Sequence, residues 1–250
     1  MLNRLYRKNL VTLLLCSFCA GPILTVAPPS LAQTERQVLT TQQKQDLVQR
    51  SEEVITLANQ GDFARALSYL APEVKAYLTP EMLQRVWETE LIEQTGAFES
   101  ITGSKIIDVI NADIVTLTVK FAQRSEDIQF IFNKSQELIG ITLPSSLSID
   151  EISEAFVMNL SKGDYGASRG FLNPLFKTEI FADKLETEWQ NELASYGPFE
   201  EVVDVKVKPG STFDAPDVAI VTIAFENETR DYFFFFDSNR KIVNIDFVVD

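Results

Sequence analysis

The chain contains no histidine. That removes the commonest neutral-pH general base, the Ser-His-Asp and Cys-His nucleophile systems and the usual zinc ligand. Acid–base chemistry would have to be carried by carboxylates, Tyr, Lys or Ser. The arrangement best suited to it is Glu188 beside Trp189, with Tyr196 and Tyr232 as hydroxyl donors. A carboxyl group in an apolar pocket has its pKa raised and becomes a usable base for isomerase- or cyclase-type reactions. The simpler reading, which is favoured, is that Glu188 stands at the edge of an apolar helix stripe and reaches water. Glu186, Glu188, Glu192, Glu200, Glu201 and Asp204 match no calcium loop, which needs alternating oxygen ligands around a turn glycine. A solvated acidic face is expected there. No catalytic residue, cofactor or metal is therefore assigned. Trp87, Phe98, Trp189 and Phe199, with Glu188, are the candidates for lining a ligand pocket. Against that role stands the plainer one of core anchor, a buried aromatic contributing on the order of 150–250 Å² of contact.

These candidates come in pairs because the chain repeats itself. Gly61-Asp62-Phe63 to Trp87 recurs as Gly163-Asp164-Tyr165 to Trp189, a displacement of 102 residues. Pro72, Lys75, Glu90 and Leu91 fall on Pro174, Lys177, Glu192 and Leu193 in that register. After a one-residue deletion Phe98-Glu99 matches Phe199-Glu200. Further on, Asp113, Phe121, Asp127 and Phe132 meet Asp217, Phe225, Asp231 and Phe236. A tandem duplication of a roughly 100-residue unit follows, each copy long enough to hold its own core.

The beginning of the chain reads as an address. Arg4, Arg7 and Lys8 make a positive region, Leu10 to Phe18 an apolar one, and Ser30-Leu31-Ala32 a small-x-small cleavage site. Residues 1–32 are expected to be a signal peptide, with retention as an N-terminal anchor the alternative, and the protein to be exported to a periplasmic or extracellular location. Cleavage would remove three of the 22 Lys and Arg and leave 19 against 36 Asp and Glu, a net of −17. So acidic a surface repels nucleic-acid phosphates and anionic lipid headgroups, and no stable membrane insertion is expected after cleavage. Both cysteines, Cys16 and Cys19, lie in the leader. The mature chain would then have no disulfide or thiolate, and burial alone must stabilise it.

The elements follow from periodicity. Residues 33–45, polar and rich in Gln and Thr, are expected to be a flexible lead-in. Leu47, Ser51, Val54, Ile55 and Ala58 share a helical face, as do Ile149, Ile152, Phe156, Val157 and Leu160, with Ser148 and Glu151 as a capping box. Gly61 and Gly163 stop these helices, and Asp62 and Asp164 cap the next. A third helix carries Trp87 or Trp189, with Thr79-Pro80 and Asp183 with Glu186 as start signals. The period then falls to two. Val203, Val205 and Val207, Leu117, Val119 and Phe121, and Val221, Ile223 and Phe225 mark strands with one buried face. Further strands pair through turns at Asn133 to Gln136 and Asp237 to Arg240. The expected class is α+β: two homologous domains, residues 46–144 and 148–250. Each has three N-terminal helices on a curved four-stranded antiparallel sheet, and Pro144-Ser145-Ser146 is the hinge.

This order of elements, with the Gly-Asp-aromatic turn and the Trp, resembles a bacterial domain-of-unknown-function family, number 3887. In outline it is similar to the nuclear-transport-factor-2-like, cone-shaped α+β superfamily. The resemblance covers both repeats and implies a concave sheet face that often makes a pocket or dimer interface. It transfers no catalytic residue.

Tyr232 to Phe236 departs from a half-buried strand, with five aromatics in succession covering both faces. Phe233 and Phe235 are expected to be covered by the first repeat, by another protomer in a homodimer or by a ligand, with docking on the first repeat favoured over a ligand, since left bare they would invite aggregation. The expected function is that of an exported, non-catalytic binding module. Its partner would be a small apolar ligand or an envelope protein, with a carboxylate-dependent enzyme and a purely structural interaction domain as the alternatives.

Overall fold

The computed structural model describes residues 39–210 and 215–247; the leader, its cleavage site and most of the lead-in lie outside them. Helix α1 spans Thr41–Asn59, so the chain is helical four residues before the lead-in was expected to end. The cause is a capping box: Thr40 accepts from the Gln43 N–H, and the Gln43 side chain accepts from the Thr40 N–H. Leu47, Ser51, Val54, Ile55 and Ala58 are buried on one face, as their spacing predicts. Gly61, at φ 77°, lets the chain leave the helix, and Asp62 caps α2 (Phe63–Ser68) through the Arg65 N–H.

Where one helix is expected between the first helix and the Trp-bearing one, there are two. Pro72 and Pro174 each open a one-turn helix of their own, proline at the first helical position lacking only an N–H that would be unpaired anyway. Thus α3 (Pro72–Lys75) precedes α4 (Pro80–Arg85), which runs on through a π-helical segment, Val86–Ile92, into α5 (Glu93–Thr95). The second repeat has α6 (Ile149–Ser161), α7 (Tyr165–Gly170), α8 (Pro174–Lys177) and an uninterrupted α9 (Ala182–Tyr196). The N-cap of α9 is Phe181, two residues ahead of the Asp183 signal, and no side chain caps the helix.

Each repeat ends in a four-stranded antiparallel meander. In the first, β1 (Phe98–Asp108), β2 (Ala112–Phe121), β3 (Ser125–Asn133) and β4 (Leu138–Thr142) pair in sequence order; in the second, β5 (Phe199–Lys208), β6 (Asp217–Phe225), β7 (Thr229–Phe236) and β8 (Ile242–Phe247) do the same. Leu117, Val119 and Phe121, and Val221, Ile223 and Phe225, face the cores as predicted. The β5 valines do so only in part. Val205 packs on the core as predicted, whereas Val203 and Val207 are 53% and 41% exposed. Bulges between Phe199 and Glu201 and between Val202 and Asp204 slip the register of this edge strand, and Val202 packs on the core beside Val205.

The repeats join along a seam built from α7 and α8 of the second and from β4 and the α3–α4 connection of the first. Phe181 packs against the first core, and Tyr77 against the second while donating to Glu186 Oε2 at 3.1 Å. Lys177 is 1% exposed and reaches β4, donating to the Ile141 carbonyl at 2.8 Å, Thr142 Oγ1 at 2.9 Å and the Gly170 carbonyl at 3.2 Å. Its counterpart Lys75 is exposed. Gly166 makes the approach possible, since a Cβ there would stand 2.4 Å from the Tyr77 carbonyl oxygen. Arg240 fixes the expected hinge by donating to the Ser145 and Leu147 carbonyls.

Two outcomes test the seam. Gly166→Ala should lower stability by about 1–3 kcal/mol through overpacking. Gly170→Ala, whose Cβ meets nothing within 4 Å, should raise it by about 0.4–1 kcal/mol by restricting the unfolded chain. Urea midpoints of the two variants should move in opposite directions. The second outcome concerns Lys177, whose burial, with Lys241 and Arg169 nearby, holds its pKa well below that of a free lysine. The unfolded chain then binds more protons, so this residue adds stability as pH rises towards an unfolded lysine's value of about 10.4, at up to about 1.4 kcal/mol per pH unit. Urea unfolding across that range should show a more positive slope for wild type than for Lys177→Met.

Candidate functional site: a cavity on the seam between the repeats

In the second repeat two aromatic rings occupy the space between helix and sheet. Phe156 of α6 meets Phe234 of β7 edge to face, ring centroids 5.4 Å apart. The matching pair in the first repeat is Val54 and Phe130, and Ala58 stands where the second repeat has Leu160. These smaller side chains leave a cavity of about 170 Å³ in the concavity of the first repeat, roofed by α7 of the second. Its wall is largely apolar, including Trp87, Phe130 and Ile141.

The π-helical segment shapes one side. Repeat one has an extra residue between Leu91 and Phe98, which appears in the sequence as the fall of the repeat offset from 102 to 101. A π-turn accommodates one additional residue in a helix and recurs at functional sites. Here it spans Val86–Ile92, and Val86, Trp87 and Glu90 all line the cavity. In α9 the Glu90 counterpart, Glu192, accepts a hydrogen bond from Tyr232. The first repeat has Ile128 at the Tyr232 position, so Glu90 receives no such hydroxyl. Although more than a third of the Glu90 residue is exposed, loss of water around its carboxyl raises its pKa, against the pull of Lys241 and Arg85.

Three cations close the other side. Lys177, with its three oxygen partners, is satisfied. Arg169, 6% exposed, donates from Nε to the Ile180 carbonyl at 2.8 Å and from one terminal nitrogen to the Lys177 carbonyl at 2.7 Å, and lies 5.0 Å from the Phe181 ring centre. Burial lowers its pKa to about 10. Lys241 is also 6% exposed, and burial lowers its pKa to about 8, opposed by Glu90 and Asp237. Neither cation has a cationic counterpart: Arg169 aligns with the buried Leu67, and Lys241 with Glu137.

Of the residues singled out from sequence, Trp87 lines this cavity. Trp189 packs between Phe199 and Phe225, at 5.9 and 5.8 Å, in the second core. Phe98 lies edge-on to Phe121 at 6.3 Å, and Glu188 is half-buried; neither is part of the cavity wall. Phe233 and Phe235 are half-buried on the sheet face opposite Tyr232, Phe234 and Phe236, and the repeat–repeat seam is formed by other residues. Glu90, Lys177, Arg169 and Lys241 were not singled out as site residues. The signal for the last two was the pair of mismatches in the alignment of the repeats, a buried leucine opposite an arginine and a glutamate opposite a lysine.

No match was found among curated proteins or solved structures. A family model does match, over residues 51–141 and 153–245, one copy on each repeat and together most of the chain. The chain thus belongs, twice over in tandem, to the family described as Protein of unknown function (DUF3887).

Proposed function

We propose that the protein is an exported, non-catalytic binding module whose ligand is a small apolar molecule held in the seam cavity. The observation that carries this reading is the asymmetry of the duplication. One concavity is closed by Phe156 and Phe234, while the other is kept open by Val54 and Ala58 and covered by its neighbour. Apolar walls with a few convergent polar groups are the usual make-up of a ligand site. An unfilled cavity of this kind is otherwise a cost, since lost packing scales with its volume. A carboxylate-dependent enzyme is the second reading. In that case Glu90, with its raised pKa and position on the π-turn, would be the base rather than Glu188.

Gly170 gives a direct test, because its Cβ position is open space on the cavity wall. Native mass spectrometry of the protein purified without denaturant should show one adduct per chain that is lost on unfolding. Gly170→Leu should remove that adduct while the variant stays folded. A folded Gly170→Leu protein that retains the adduct in full would place the ligand elsewhere.

A further inference from the structure

We propose that the ligand of the seam cavity carries a single carboxylate, received by Lys241 and Arg169, with its apolar body against Trp87, Phe130 and Ile141. The inference rests on the ligand-binding reading above and adds to it the charge of the ligand.

Lys241 is the first observation. It is 6% exposed and lines the cavity, and among the described residues its ammonium has no hydrogen-bond acceptor. Every solvent-inaccessible side-chain nitrogen or oxygen described does have a partner. An unpartnered ammonium on so buried a residue therefore faces open space, and the space it borders is the cavity. Arg169 is the second. Its Nε and one terminal nitrogen are held by the Ile180 and Lys177 carbonyls, which leaves the other terminal nitrogen, beside Gly140, without an acceptor on the cavity wall. Two backbone-anchored bonds fix that guanidinium so its free edge presents a directional donor. Both cations are near enough to oppose protonation of Lys177, so the three share one stretch of the seam.

A lone buried cation is costly unless an anion arrives. The chain as a whole has a net charge of −14, yet four basic side chains, Arg85, Arg169, Lys177 and Lys241, line this cavity against the single carboxylate of Glu90. Charge and size restrict the ligand further. Glu90 at the margin repels a second negative charge, which favours a monocarboxylate over a phosphate ester. The volume of about 170 Å³ is close to that of engineered apolar cavities that hold benzene, so the body is about the size of one ring. The duplication makes the same point. The second copy contributes both cations, at positions that carry leucine and glutamate in the first, to a cavity that lies in the first copy.

Benzoate and benzyl alcohol are matched in body and differ in charge. Calorimetric titration of the full protein at pH 7 should find benzoate bound at least about tenfold more tightly, the scale of a desolvated charge pair. At pH 9 that preference should shrink as Lys241 loses its proton, with burial, Arg240 and Lys177 opposing the charged form and Glu90 and Asp237 favouring it. Arg169 keeps its charge over this range. Lys241→Met strands no hydrogen-bond partner, so it should fold, and its ratio of benzoate to benzyl alcohol affinity should fall below that of wild type. Equal affinities for the two probes in wild type, or an undiminished benzoate preference in Lys241→Met or at pH 9, would overturn the anion assignment and leave the apolar-ligand reading standing. Failure of both probes to bind would remove the ligand-binding reading and this inference with it.

Discussion

A buried lysine amine with no carboxylate beside it is tolerated only where oxygen acceptors surround it. Lys177 finds these by reaching across from one repeat to the other, to the Ile141 carbonyl and Thr142 Oγ1 on β4, while keeping the Gly170 carbonyl of its own repeat. That geometry requires α7 to lie against the first repeat at a spacing only glycine permits, at Gly166 beside the Tyr77 carbonyl. The same closeness roofs the cavity with α7, sets Arg169 and Lys241 on its wall and brings Phe181 onto the first core. The two domains are therefore packed as one unit, and the cavity belongs to their junction.

Duplication with divergence explains how the site arose without any new element. The two copies keep the residues that make the fold: the glycines that end α1 and α6, the aspartates that cap α2 and α7, the Trp pair and the meander. They differ where the site lies. Helix-to-sheet space is filled by Phe156 and Leu160 in one copy and left open by Val54 and Ala58 in the other. The helix behind the cavity is expanded by a π-turn in the copy that needs Trp87 and Glu90 re-aimed, and remains regular in the copy that does not.

Most of the fold was legible in the sequence because it rests on local rules. The buried faces of α1 and α6, the Ser148–Glu151 box and the positive-φ stops at Gly61 and Gly163 all stand where spacing put them. The one-turn helices at Pro72 and Pro174 were missed because a single turn leaves no periodic signal. Val203 was misassigned because a bulge between Val202 and Asp204 breaks the two-residue alternation on which that reading depends. The site was less legible. Arg169 and Lys177 are spaced like ordinary surface cations, and only the close packing of another domain buries them. Gly166 and Gly170 stood out as divergent, and the structure supplies the reason: one makes room for Tyr77, and the other leaves room in the cavity.

The chain has two tryptophans, one on the cavity and one in the filled core. Single-tryptophan variants can therefore report on each repeat separately. If the seam cavity is the binding site, the emission of Trp87 in Trp189→Phe should saturate with benzyl alcohol, while that of Trp189 in Trp87→Phe should not respond. A saturable response from Trp189 with none from Trp87 would contradict the account.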